Sequence, residues 1–291
     1  MPERPSSTAI PPRKKPVGEA IQAAVENHDA FGFELRVGES MNGIPAEKAV
    51  SDIRCDHGGA FPNPSRGQTR RFAYRCALSN QGGQRRLFLA VECEKLPASR
   101  PLVVCGIKRP EREAFDNLVR SHAKGGPGLG GRVADIVVRP GAVSFYPPGV
   151  FVGKSLLRLN LDEDPPGSLE DSAVRDAWSR ALDSAAELVE KACRVEVPVA
   201  PQFVYSAILP IVVVPDGALW LASYGGDGKL SAPPAQAEAC EYFVGKEIEA
   251  SGLLGRKFAL SHVHFFTLGG FGAFFQKLAC DAQAWTLLFR Y

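Results

Sequence analysis

The residues best suited to chemistry stand together in Leu87-Phe88-Leu89-Ala90-Val91-Glu92-Cys93-Glu94-Lys95, where an apolar run ends abruptly in two carboxylates and an ammonium. In a strand, side chains alternate faces. Glu92 and Glu94 would then point the same way, roughly 6–7 Å apart, and Lys95 the other way. Two such carboxylates at the end of a buried-type strand are costly unless a partner, a metal or solvent meets them. A hard cation such as magnesium takes oxygen ligands of this kind.

Just before this run the charge is one-sided. Between His57 and Val91 there is no Asp or Glu, yet Arg66, Arg70, Arg71, Arg75, Arg85 and Arg86 all fall there. Such a cluster can meet phosphates. An ordinary solvated hairpin with surface arginines accounts for it equally well.

These side chains need a sheet. Arg70 to Leu78 reads as one strand, Ser79-Asn80-Gln81-Gly82-Gly83 as a turn, and Arg85 to Cys93 as the returning strand. A further strand is expected at Leu102–Ile107, with Lys108 at its end. Upstream, residues 1–17 read as a basic arm and Glu19–His28 as a short helix. Phe31–Val37 alternates like a strand, with Glu34 and Arg36 on one face. Ser40–Pro64 reads as loop, with a helical turn around Ala46–Ile53. Downstream, Glu111–His122 is predicted to be a helix, Lys124–Gly131 a glycine-rich loop, and 136–161 strands around Tyr146-Pro147-Pro148-Gly149. Ser168 is expected to open the clearest helix, with Asp171 completing a capping-box-like pair. Phe203–Val214 and Ala218–Tyr224 read as a strand pair over a tight turn, Phe258–Thr267 as a strand, and Gly272–Cys280 as a last helix. Residues 18–291 are expected to form one α/β domain, with the Pro/Gly-rich stretch near 162–167 read as a long connection within it rather than as a boundary between two lobes.

The block from Phe61 to Lys108 resembles the restriction-endonuclease-like, or PD-(D/E)XK, nuclease superfamily. The likeness rests on Phe61-Pro62-Asn63-Pro64, on Thr69-Arg70-Arg71-Phe72-Ala73-Tyr74-Arg75 and on Val91-Glu92-Cys93-Glu94. Ile211–Gly217 and His262–Thr267 look similar to the C-terminal strands of some members, so the likeness in layout spans roughly residues 19 to 280. It implies a mixed central sheet with flanking helices. In that family one hairpin strand carries a metal-binding Asp and the other carries Glu-x-Lys around magnesium or manganese. Here Glu92 matches the acidic ligand, but Ala73 occupies the Asp position and Glu94 the Lys position. Placing a carboxylate for an ammonium beside a phosphate costs several kcal/mol at about 4 Å and an effective dielectric of about 20.

The likeness therefore implies a nucleic-acid-binding protein, acting on DNA in the first place, with a degraded phosphodiesterase site. The alternative is a magnesium- or manganese-dependent nuclease with a rearranged site. In it Glu92, Glu94 and Glu34 would hold metal, and Lys95 or Lys108 would assist the water. Two further readings stay open: a protein-interaction subunit binding a protein partner or a second copy, and a plain structural pair of Glu92 with an arginine such as Arg75.

Other motifs carry less. Gly153-Lys154-Ser155 suggests a phosphate loop, but the required first glycine falls on Pro148. The glycines at 125–131 lack the strand-then-helix context of a dinucleotide site. His262 and His264 share a strand face, without a nearby Cys or carboxylate to complete a metal set. The seven cysteines are widely spaced and form no CxxC, which fits reduced core thiols. With 291 residues, 45% hydrophobic and a net charge of +2, the chain can bury a real core but has no global pull toward polyanions. No run suits a membrane span or an export signal, so a cytoplasmic protein is expected.

Overall fold

The computed structural model describes residues 16–27, 30–42, 49–63, 68–124, 131–169, 172–194 and 203–290. The basic arm, Arg66, the core of the glycine-rich loop and Asp171 lie outside these residues. The described helices are α1 (Val17–Asn27), α2 (Ala30–Met41), α3 (Ser172–Cys193), α4 (Leu268–Cys280) and α5 (Ala282–Leu288). The strands of the N-terminal part are β1 (Val50–His57), β2 (Ala60–Asn63), β3 (Gln68–Arg71), β4 (Tyr74–Asn80), β5 (Arg85–Cys93) and β6 (Leu102–Lys108). They continue with β7 (Phe115–Lys124), β8 (Gly131–Pro140), β9 (Phe151–Asn160) and β10 (Gly167–Leu169). The last are β11 (Phe203–Val214), β12 (Leu219–Ser223), β13 (Ala235–Gln236), β14 (Ala239–Glu249) and β15 (Lys257–Thr267).

Apolar runs decide the centre of the sheet. Residues 206–214 of β11 and 260–267 of β15 are all buried, as strands covered on both faces must be. The main sheet runs β1-β4-β5-β11-β15-β14-β9-β6-β12-β13, with β7 paired to β11 and β8, and β10 to β9. It is mixed: β4 and β5 are antiparallel, whereas β11 runs parallel to both β5 and β15. Alternation then sorts side chains into two cores. Phe88, Ala90, Ile208 and Val212 meet Val174, Ala181 and Leu188 of α3. Leu87, Leu89, Val91, Leu209 and Ile211 meet Phe33, Phe271 and Trp285 of α2, α4 and α5. Helices thus flank the sheet on both faces.

Several local expectations are corrected. Phe31–Val37 is helical, because Phe33, Val37 and Met41 bury one stripe at spacing four while Leu35 is left exposed. The expected loop at 40–64 contains strands β1 and β2. Arg70–Leu78 is not one strand: the chain breaks at Phe72-Ala73, and β3 instead pairs with β2. Glu111–His122 forms a 3-10 turn at Glu111–Glu113 and then β7, whose Leu118 and Val119 feed opposite cores. The long helix starts at Ser172, and Ser168 belongs to β10. β11 and β12 do not pair, because β12 leaves the turn to run parallel beside β6. Residues 162–167 form the turn between the paired strands β9 and β10, so the chain stays in one sheet there.

Two of the cysteines expected to be reduced are bonded. Cys55 and Cys76 face each other across β1 and β4 and form a disulfide, while Cys93, Cys105, Cys193, Cys240 and Cys280 are free. Among the described residues no helix is long and apolar enough to cross a membrane.

Candidate functional site: a guanidinium and carboxylate cavity

The break between β3 and β4 shapes the site. Tyr74 pairs with Val91, so Ala73 adjoins Glu92 across the hairpin. A cavity of about 400 Å³ opens here, walled by Glu34 of α2, Arg70 and Arg71 of β3, Phe72 and Ala73, Glu92 of β5, and Asp176 and Arg180 of α3. Three guanidiniums and three carboxylates line it.

Glu92 is 3% exposed and lies on the α3 side of the sheet. Arg180 Nε donates to its Oε2 at 2.9 Å, while Oε1 has no hydrogen-bond partner among the described residues. Burial pushes the Glu92 carboxyl up to about 7, because desolvation outweighs the opposing pull of Arg180 and of the Ala73 backbone. The neighbouring Glu34 adds a smaller push in the same direction. Glu34 itself accepts from Arg71 Nη2 at 3.1 Å and lies 3.4 Å from His57 Nε2. Tyr74 closes the wall by donating its hydroxyl to the Glu34 carbonyl at 2.9 Å.

The arginine cluster is divided by the fold. Arg70 Nη1 donates to Asp183 at 2.8 Å and to Ser179. Arg75 reaches Ser184 and Glu187 and stacks over Phe61 and Phe72. Arg71 is the most accessible of these, with its side chain 57% exposed. Arg86 faces a second cavity of about 850 Å³, whose mixed lining includes Asp52, Arg54, Asp56, Arg75, Glu187 and Arg194. Arg85 sits at the opposite end of β5 from Glu92.

Glu94 and Lys95 follow the strand end, are half-buried, and do not line the cavity. The Glu94 N–H extends the ladder to the Val213 carbonyl at 2.9 Å. Lys108 is not brought to Glu92: four strands separate β6 from β5. The partner of Glu92 is Arg180 rather than Arg75. Arg180 and Asp176 were not singled out in the sequence. Their signal is a polar stripe on α3 at Asp176, Arg180, Asp183 and Glu187, spaced by three and four residues beside its apolar face. Arg180, Asp183 and Glu187 of that stripe pair with Glu92, Arg70 and Arg75.

The two histidines of β15 pack around Tyr146. His262 and His264 are buried, with Tyr146 stacked on His262 at 3.9 Å and its hydroxyl 2.7 Å from His264 Nε2. Burial, aided by Arg109, pushes them down to about 2 and about 3, so both are neutral. Gly153-Lys154-Ser155 lies inside β9, where a Cβ on Gly153 would stand 2.5 Å from Val104, and Lys154 pairs with Glu113. It is a packed strand segment.

One Glu92 oxygen is taken by Arg180, Glu34 is taken by Arg71, and no group of three His, Cys, Asp or Glu is gathered for a metal among the described residues. The site is an open cavity lined by ion pairs in a mixed α/β protein. Comparison with family models, curated proteins and solved structures finds no match for this chain.

Proposed function

We propose that this chain binds nucleic acid, DNA in the first place, on a restriction-endonuclease-like scaffold whose phosphodiesterase site has been converted to a binding cavity. The observation that carries the reading is Ala73 beside Glu92 in a pocket walled by Arg70, Arg71 and Arg180. The positions that the resemblance assigns to two metal ligands adjoin, yet a guanidinium holds the one carboxylate that remains. The mixed sheet, its hairpin and the flanking helices agree with that scaffold.

Guanidiniums recognise phosphate through forked, charge-assisted donors. In the resting protein each of the three has a carboxylate within reach, so a phosphate must compete for them. This predicts modest, salt-sensitive affinity rather than tight binding. Filter binding of duplex and single-stranded DNA at several salt concentrations tests it. Affinity should fall steeply with salt, and Arg71→Ala should reduce the slope by about one. Salt-independent retention, or none at all, would defeat the reading. Metal-dependent cleavage abolished by chelator and by Glu92→Ala would instead establish the nuclease alternative.

A further inference from the structure

We propose that Cys55 and Cys76 are a reversible dithiol–disulfide latch that fastens edge strand β1 to β4 and thereby holds one wall of the Glu92 cavity. This rests on the nucleic-acid reading only for one of its readouts.

Strand β1 needs a fastening. It lies at the end of the sheet with β4 as its neighbour, and Val50 is its one buried residue. Isolated edge pairing of this kind opens readily, because few apolar contacts are lost on opening. Cys55 and Cys76 are directly opposed in the register, so the bond joins the C-terminal half of β1 to the sheet.

The two sulfurs differ in access. Cys55 is exposed, whereas Cys76 is 1% exposed and lies 3.5 Å from Met41 Sδ. Exposed disulfides are the labile ones, and a reductant reaches the Cys55 side. The co-reactant is a dithiol. Its thiolate attacks Cys55 Sγ, forming a mixed disulfide, and the bonding pair leaves on Cys76 Sγ, which takes a proton. The second thiol of the reductant then displaces Cys55 as a thiol. Two electrons pass to the protein and the reductant leaves as its own disulfide. The other five cysteines remain thiols, so the bond is not part of a general disulfide framework.

The latch is coupled to the cavity through the end of β1. Two residues past Cys55, His57 stacks on Tyr74 at 4.5 Å and contacts Glu34. The Gly58 N–H then donates to the carbonyl of Ala73 at 3.0 Å. Freeing β1 loosens His57 and Gly58, and with them Glu34 and Ala73.

Air-purified wild-type protein should show five titratable thiols when denatured and seven after dithiothreitol. Native reduction should speed amide exchange in β1 and at Gly58 by about tenfold or more, leaving β11 unchanged. It should also weaken duplex DNA binding several-fold, and reoxidation should restore both. Cys55→Ser should behave as the reduced protein with or without dithiothreitol. Seven thiols before reduction, or β1 and Gly58 exchange unaltered by it, would overturn the latch. If neither form binds DNA, the nucleic-acid reading falls and the exchange data alone decide the latch.

Discussion

Glu92→Gln should stabilise the protein at pH 8 by about 2 kcal/mol and flatten its stability between pH 4.5 and 7. The folded protein holds the Glu92 carboxyl at about 7, raised from 4.5, chiefly by burial. A raised acid binds its proton more tightly when folded. Its stabilising contribution is therefore complete below pH 4.5 and is lost as pH rises through about 7. Above that the charged form must be kept in a site where Oε1 has no partner among the described residues. Glutamine removes the charge and keeps the shape. Arg180→Met should act in the opposite sense, leaving Glu92 without its guanidinium. The expected cost is about 3 kcal/mol at pH 8 and little at pH 5, where the carboxyl is protonated. Urea unfolding midpoints of the three proteins from pH 4.5 to 8 would decide this. Wild-type and Gln curves that run parallel would mean that Glu92 does not titrate as its surroundings require.

The second large effect lies away from the cavity. Arg139→Ala should cost about 3–5 kcal/mol, because it strands a buried carboxylate. Arg139 and Asp116 join paired positions of β7 and β8 and are almost fully buried. Asp116 Oδ1 also accepts from Ser144 Oγ and the Phe145 N–H, both at 2.8 Å, and Arg139 donates to the Arg290 carbonyl at 3.0 Å. One guanidinium thus ties the hairpin to the C-terminal segment. Thermal unfolding should move down by roughly 6–20 °C at the 2–4 °C per kcal/mol of a chain this long. A change of only a degree or two would show that the pair is no better than a surface ion pair. Replacing both residues with apolar ones should recover much of the loss, since the penalty comes from the unpaired charge.

The central strands were legible because their apolar runs are long and nearly unbroken. Arg85–Cys93, Leu102–Lys108 and Lys257–Thr267 match expectation closely for that reason. Glu111–His122 was not legible. Its residues suit a helix locally, but pairing with both β8 and β11 buries Leu118 on one face and Val119 on the other. Phe31–Val37 erred in the opposite direction. Its apolar residues at 33, 35 and 37 fit period two, and only the contacts of Phe33, Val37 and Met41 select period 3.6.

For the site, the sequence alone determined that Glu92 ends a buried strand and that Ala73 and Glu94 stand where the resemblance calls for Asp and Lys. Those statements need only residue order and the two-residue period of a strand. The tertiary structure decided which charges meet. It set Arg180, 88 residues downstream, against Glu92, and divided the described hairpin arginines between separate surfaces. It also left Lys108 four strands away. Pairing between distant segments depends on how a helix crosses a sheet, and no local pattern of residues contains that geometry.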